Sequence, residues 1–358
     1  MRRGLILWSQ EEVPAAALDA RVARFQKAMV AERLDATMLH TCFPRPAAVS
    51  YLTHFVPYWS EAVVLVLPEG APLMFAALTK RVHGWIREVS HVGEIVSAPK
   101  PGDAAAKFLK GRVRGGARIG VVDFEALPFG VVEPLAAAFG REALVDASSA
   151  FAAIRQPPDA VEIALAERAY AMANAAMANA DPRAMRASAF TPSIEAAARN
   201  AGAEEAMIAL ATDLDASASL RRIEGDAALG DRFAVQLSLA YKGAWIRIAR
   251  SFARGSAAPA GWEDAERRFA DFTTRLDSKS LNASAANVDW RMEACIGAMP
   301  LATIAVAGQP ATRRLPPGSL AVVSARLATA SGPWLGAYPI ILGGEGQPTR
   351  RLSGEGTP

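Results

Sequence analysis

The run from Gly230 to Phe252, GDRFAVQLSLAYKGAWIRIARSF, constrains this chain more than any other. Read with period two, Phe233, Val235, Leu237 and Leu239 fall on one side, and Ala234, Gln236 and Ser238 on the other. A break at Tyr241-Lys242-Gly243 precedes a second alternating run from Trp245 to Phe252. The pattern predicts two strands joined by a tight turn, with Gly243 supplying the permissive backbone. With Tyr241-Lys242 as the loop, Ala240 faces Gly243 and Gln236 faces Arg247. Directly opposed residues have Cβ atoms about 5 Å apart, so these two polar side chains are expected to meet. A polar pair on the small-residue face of an apolar hairpin reads as the floor of a pocket.

At 358 residues the chain has room for two domains, and a hydrophobic fraction of 51% suits well-packed globular units. A formal charge of +3 with dispersed Lys and Arg gives no footprint for nucleic acid. No apolar run approaches the roughly 20 residues that span a bilayer. The opening MRRGLILW is halted at once by Ser9-Gln10-Glu11-Glu12, too early for a secretory core, so a cytoplasmic protein is expected. Cys42 and Cys295 lack a redox or zinc spacing and read as two buried free thiols.

Leu18, Val22, Phe25 and Met29 share one face of a helix expected over 18–34. Strands are expected at Ala36–His40, Ala62–Leu67, Leu73–Ala77 and Arg118–Val122, with helices near Lys80–Val89 and Ala104–Lys110. Strands alternating with helices give an α/β domain over residues 1–153. Pro157-Pro158 marks the join, and Asp159 is a suitable N-cap for a helix beginning near Val161 and running to about Ala180. Further helices are expected at Ser193–Ala206 and Trp262–Leu276, and strands at Leu320–Leu327 and Ala337–Leu342. They build a second domain over 154–358, with a loose tail from about 345.

The hairpin resembles a signature of the creatinase, prolidase and methionine-aminopeptidase superfamily: G-D-x-x-x-x-D, a turn with Tyr and Gly, then D-x-x-R-x-F. Gly230, Asp231, Tyr241, Gly243, Arg250 and Phe252 stand in the matching places. VSYLTHF followed by AVVLVLP is similar to the family's N-terminal domain, and Ile154, Arg155, Glu162 and Ile163 to its linker. The resemblance implies an α/β N-terminal domain of the creatinase/prolidase type and an α+β pita-bread C-terminal domain. Metal-dependent members hold two cations with two Asp, one His and two Glu. Here the aspartates are replaced by Gln236 and Arg247, the histidine place falls near Leu301, and the glutamates fall on Ser324 and near Ala337. Arg250 keeps a family position and is expected to serve packing and charge pairing.

No metal or other cofactor is therefore expected: a guanidinium at residue 247 stays protonated and repels a cation. Creatinase itself works without metal through a histidine in its second domain. All four histidines here, His40, His54, His83 and His91, precede that domain, and Arg221-Arg222 stand about where the histidine belongs. Loss of both sets points to a pseudoenzyme with a cleft lined by Gln236, Arg247, Leu301, Ser324, Ala337, Trp245, Arg221 and Arg222. Trp59 and Glu61 fall near places that line a shared pocket in creatinase-like dimers. An arginine-bearing cleft suits a small anionic ligand. The expected partners are a second copy or an active homologue. The competing reading is a metal-independent hydrolase or lyase of a small C–N substrate, with Glu224, Asp226, Tyr241 or His54 as rewired catalytic groups.

Overall fold

The computed structural model describes residues 7–57, 59–113, 115–255, 258–277, 288–344 and 346–354. The chain gathers into two units: residues up to Arg155 together with Ile296–Met299, and Gln156–Cys295 together with residues from Pro300 onward.

The first unit opens with α1 (Ala15–Ala31), β1 (Ala36–Cys42) and α2 (Ala47–Thr53), then β2 (Glu61–Val66) and β3 (Leu73–Ala76). It continues through α3 (His83–Val89), β4 (Ile95–Ser97), α4 (Pro101–Lys110), β5 (Ile119–Val121), α5 (Phe129–Phe139), β6 (Leu144–Asp146) and α6 (Ser148–Ile154). Among the described residues its sheet runs β4-β3-β2-β1-β5-β6, with β1 antiparallel to β2 and parallel to β5. Helices cover both faces, so β1 and β2 read as near-continuous apolar runs. One core holds Val22, Phe25 and Met29 of α1 against Val64 and Val66. The other holds Met38, Val63 and Leu65 against Ala105 and Leu109 of α4. The apolar stripe expected at residues 18, 22, 25 and 29 is buried throughout.

The second unit begins with α7 (Ala160–Ala178) and α8 (Ala187–Asn200). Asp159 caps α7: its carboxylate accepts the Glu162 N–H at 2.9 Å, and Glu162 reaches back to the Asp159 N–H, forming a capping box. The helix expected to reach Ala206 stops at Asn200. Gly202, at φ 105°, turns the chain, and Glu205–Ala211 becomes β7. After it come β8 (Arg232–Tyr241), β9 (Ala244–Ala253), α9 (Trp262–Arg275), β10 (Val288–Ala294) and β11 (Ala302–Val306). β12 (Leu320–Thr329), β13 (Gly332–Ile341) and β14 (Arg350–Arg351) complete the unit. Among the described residues the strand order is β11-β10-β12-β13-β9-β8-β7, with β14 added to β13.

Two antiparallel halves meet between β9 and β13, where Ala249↔Ala337 is the register pair. Beside it, Ser251 Oγ donates to the Leu335 carbonyl at 3.1 Å and accepts its N–H at 2.8 Å, a side chain standing in for ladder bonds. The outer face of the hairpin packs on helices. Phe233 and Phe252 stack at 5.5 Å with Phe190 of α8 edge-on to both, and Arg250 donates to Asn174 of α7 at 2.8 Å.

The tail from about 345 is held rather than loose over 346–354, while residues 345 and 355–358 lie outside the described residues. Thr349 and Leu352 are buried, and the buried Glu167 carboxylate accepts from the Ser353 and Gly354 N–H groups. A buried carboxylate requires donors, and this segment supplies them. Cys42 and Cys295 are free thiols, each half-buried rather than fully covered.

Candidate functional site

The β8–β9 turn is Lys242-Gly243, with φ 44° and 79°, and Tyr241 faces Ala244. Two positive φ values make the mirror-image turn whose twist matches the strands, which Tyr241-Lys242 as the loop does not provide. The register therefore moves. Gln236 lies opposite Ala249, and Arg247 opposite Ser238, not Gln236. Gln236 and Arg247 keep the same face as diagonal neighbours, because the period of two survives the shift.

That face carries the rest of the expected constellation. Read across the sheet, Arg291 (β10) lies opposite Ser324 (β12), Ser324 opposite Ala337 (β13), Ala337 opposite Ala249 (β9), and Ala249 opposite Gln236 (β8). Leu301 packs on Ala249, Val322 and Ala337. Trp245, opposite Ala240, is buried on the same side. The structure thus brings Gln236, Arg247, Leu301, Ser324, Ala337 and Trp245 to one surface.

Arg247 does not use Gln236. Its Nε–H donates to Ser238 Oγ at 2.9 Å, and its Nη1 forms an ion pair with Glu293 of β10. The side chains are 17% and 8% exposed, so this is a buried pair. Three strand steps separate β9 from β10, about 14 Å on a flat sheet at about 4.8 Å each. Two long side chains close that gap over a floor of Ala249, Ala337 and Val322. The pair ties one half of the sheet to the other. Glu293 was missed by sequence reading, although V-D-W-R-M-E-A over Val288–Ala294 alternates cleanly and marks a strand with polar residues on one face.

These residues do not fit a divalent cation. The five expected ligand places offer an amide, a guanidinium, a hydroxyl and two aliphatic side chains, and the buried carboxylate nearby is already neutralised by Arg247. Among the described residues, no group of three or more His, Cys, Asp or Glu side chains is arranged to hold a metal. Ser324 Oγ is buried and without a hydrogen-bond partner, and the Gln236 side chain makes no hydrogen bond among the described residues.

The other named residues are elsewhere. Arg221, Arg222, Glu224 and Asp226 lie in the exposed connector between β7 and β8, where Arg221 exchanges backbone hydrogen bonds with Leu210. Asp226, proposed from sequence as an acid or base, is occupied: it pairs with Arg186 and accepts the Ser188 N–H at the start of α8. The Arg186 hydrogen bond, with that of Ser188, pushes its carboxyl down to about 2, which leaves a weak base. Tyr241 points away from the face of Gln236 and Arg247, buried beneath the Arg168 guanidinium, because odd residues of β8 face the helices. His54, Trp59 and Glu61 belong to the first unit. His54 closes α2 in the left-handed conformation. Trp59, 60% exposed, stacks on Trp85, and Glu61 pairs with His40 Nε2 at 2.9 Å.

Residues 21–156 match the family model of the Creatinase/Prolidase N-terminal domain. No curated protein matches the chain in sequence. Among solved structures it is similar to the prolidase from Pyrococcus horikoshii OT3, at 16% identity and a TM-score of 0.65, over 93% of this chain and 98% of that one. It is also similar to the X-Pro aminopeptidase from Thermotoga maritima MSB8, at 15% identity and a TM-score of 0.68, over 91% and 97%. The N-terminal domain of the FACT complex subunit SPT16 from chickpea matches at 14% identity and a TM-score of 0.63, over 94% and 96%. At such identities the likeness is one of fold. Residues 21–156 thus form a creatinase/prolidase N-terminal domain, and the chain as a whole has the fold of the prolidases and X-Pro aminopeptidases.

Proposed function

We propose that this chain is a non-hydrolytic, non-metallated form of that fold: a cytoplasmic, dimeric pseudoenzyme whose cleft receives a small anionic ligand. One observation carries the reading. The face that would gather metal ligands presents Gln236, Arg247, Ser324 and Ala337 instead, with Arg247 engaged by Glu293. A buried, permanently charged guanidinium favours an anion and opposes a cation. The test is titration of the full chain with Mn²⁺ and Co²⁺ by calorimetry, alongside hydrolysis of Xaa-Pro dipeptides. No binding heat and no turnover are expected; stoichiometric metal binding, or hydrolysis that requires metal, overturns the reading.

A second version, support of an active homologue, draws on the fold likeness to a protein described as a subunit of the FACT complex. Purification of the chain from its native cells, with an intact homologue retained, distinguishes it from the ligand binder. The enzymatic alternative, a metal-independent hydrolase or lyase of a small C–N substrate, has less support. Asp226 is engaged with Arg186 and Ser188, Glu224 is exposed, and Tyr241 faces the helices. Turnover that survives chelator and dies in Glu224→Gln or His54→Ala would reinstate it.

A further inference from the structure

Resting on the reading of the cleft as a seat for a small anion, we propose that Glu293 is an internal stand-in for the ligand's carboxylate. It closes the Arg247 seat in the free protein, and a small carboxylate binds there by displacing it.

Arg247 is the fixed partner. Its Nε is held by Ser238 on the adjacent strand, while the ion pair with Glu293 reaches across the junction between the two sheet halves. Its remaining donors have no partner among the described residues. A planar guanidinium presents paired N–H groups that match a carboxylate, so the group now on Arg247 is of the class the seat selects.

The surroundings extend the seat beyond one ion pair. Ser324 Oγ is buried with no partner among the described residues, an unmet donor and acceptor of the kind that a bound molecule satisfies. The Gln236 amide, diagonal to Arg247 on the same face, is likewise unmatched among the described residues. Between Gln236 and Ser324 lie the small side chains of Ala249 and Ala337, both buried, with Leu301 packed on them, so in the free protein the floor is covered rather than open. Arg291, opposite Ser324, and Arg326, two residues along β12, are exposed without ion pairs among the described residues, and draw an anion toward this face. Asp289, opposite Arg326, is exposed as well and tempers that attraction at the rim.

A tethered carboxylate competes at an effective concentration in the millimolar range, so a free carboxylate binds the native protein weakly. Removing the tethered charge removes the competitor. The test uses the full chain with sodium acetate and sodium propionate, against sodium chloride at the same ionic strength, read by calorimetry and thermal shift. Glu293→Gln is expected to bind acetate at least about 10-fold tighter than the native chain. In Glu293→Ala, acetate restores thermal stability that chloride does not. Arg247→Met abolishes both effects. If Glu293→Gln is poorly folded, Glu293→Asp keeps the charge but shortens the reach, and an intermediate gain is expected.

Equal acetate affinity in the native chain and in Glu293→Gln overturns the displacement while leaving the cleft as an anion site. Absence of carboxylate binding in the native chain and in every variant overturns both.

Discussion

The Arg247–Glu293 pair gives the sharpest energetic prediction. Replacing Arg247 by Met keeps an aliphatic stem but leaves the Glu293 carboxylate, with its side chain 8% exposed, without its cation. Removing one partner of a buried pair costs about 3–5 kcal/mol, because the remaining charge is desolvated and uncompensated. Ser238, itself buried, also loses a 2.9 Å hydrogen bond, worth about 1 kcal/mol. The 17% exposure of Arg247 lets some water in and pulls the total toward the lower end, about 3 kcal/mol. For a unit of this size that lowers Tm by about 6–12 °C. The double variant Arg247→Met/Glu293→Met exchanges the pair for apolar volume and is expected within about 1 kcal/mol of the native protein. Urea unfolding of the four proteins, followed by tryptophan fluorescence, closes the cycle with a coupling of about 2–3 kcal/mol. A coupling below about 0.5 kcal/mol would show that the two groups are not partners, and would remove the basis for both the clamp and the ligand seat.

Other outcomes are open to simpler measurements. Gly243→Ala, at φ 79°, is expected to destabilise the hairpin by about 1–2 kcal/mol, whereas Lys242→Asn, at φ 44°, gains stability because Asn tolerates that conformation; thermal denaturation separates the two signs. Asp159→Ala removes the capping box of α7 and should cost about 1 kcal/mol in the same assay. Asp226 is held down to about 2, below the ordinary carboxylate value near 3.9, so its stabilising contribution is complete above about pH 4 and lost as pH falls toward 2. Carboxyl ¹³C titration should find that low midpoint, and Arg186→Gln should return it to the ordinary range. Tyr338 lies above its ordinary value through burial and its hydrogen bond to Glu266. Its phenol should therefore stay neutral through pH 11 in the folded protein, read by absorbance at 295 nm, and its contribution is lost as pH rises past the unfolded value near 10.

Local signals carried far in this chain. The alternation in 230–252 specified both strands and the face on which Gln236 and Arg247 sit, since residue parity is a property of the strand alone. The stripe at residues 18, 22, 25 and 29 and the Asp159 cap likewise depend on near neighbours, and both are visible in the structure. What sequence missed was set at longer range or by a turn angle. The pairing of Gln236 with Ala249 follows from positive φ at Lys242, which a lysine does not announce. Asp226, expected in the enzymatic reading as a rewired acid or base, is engaged by Arg186, which stands 40 residues earlier and is not a sequence neighbour.

The common face of Gln236 and Arg247 follows from strand period, whereas Ser324 and Ala337 were expected beside them only from the family resemblance, and it is the strand order that brings all four to one face. The counter-charge for Arg247 was decided only by tertiary structure: Glu293 stands 46 residues away and three strands across. A buried cation requires an anion, but only the strand order and register of the folded sheet determine which carboxylate is within reach.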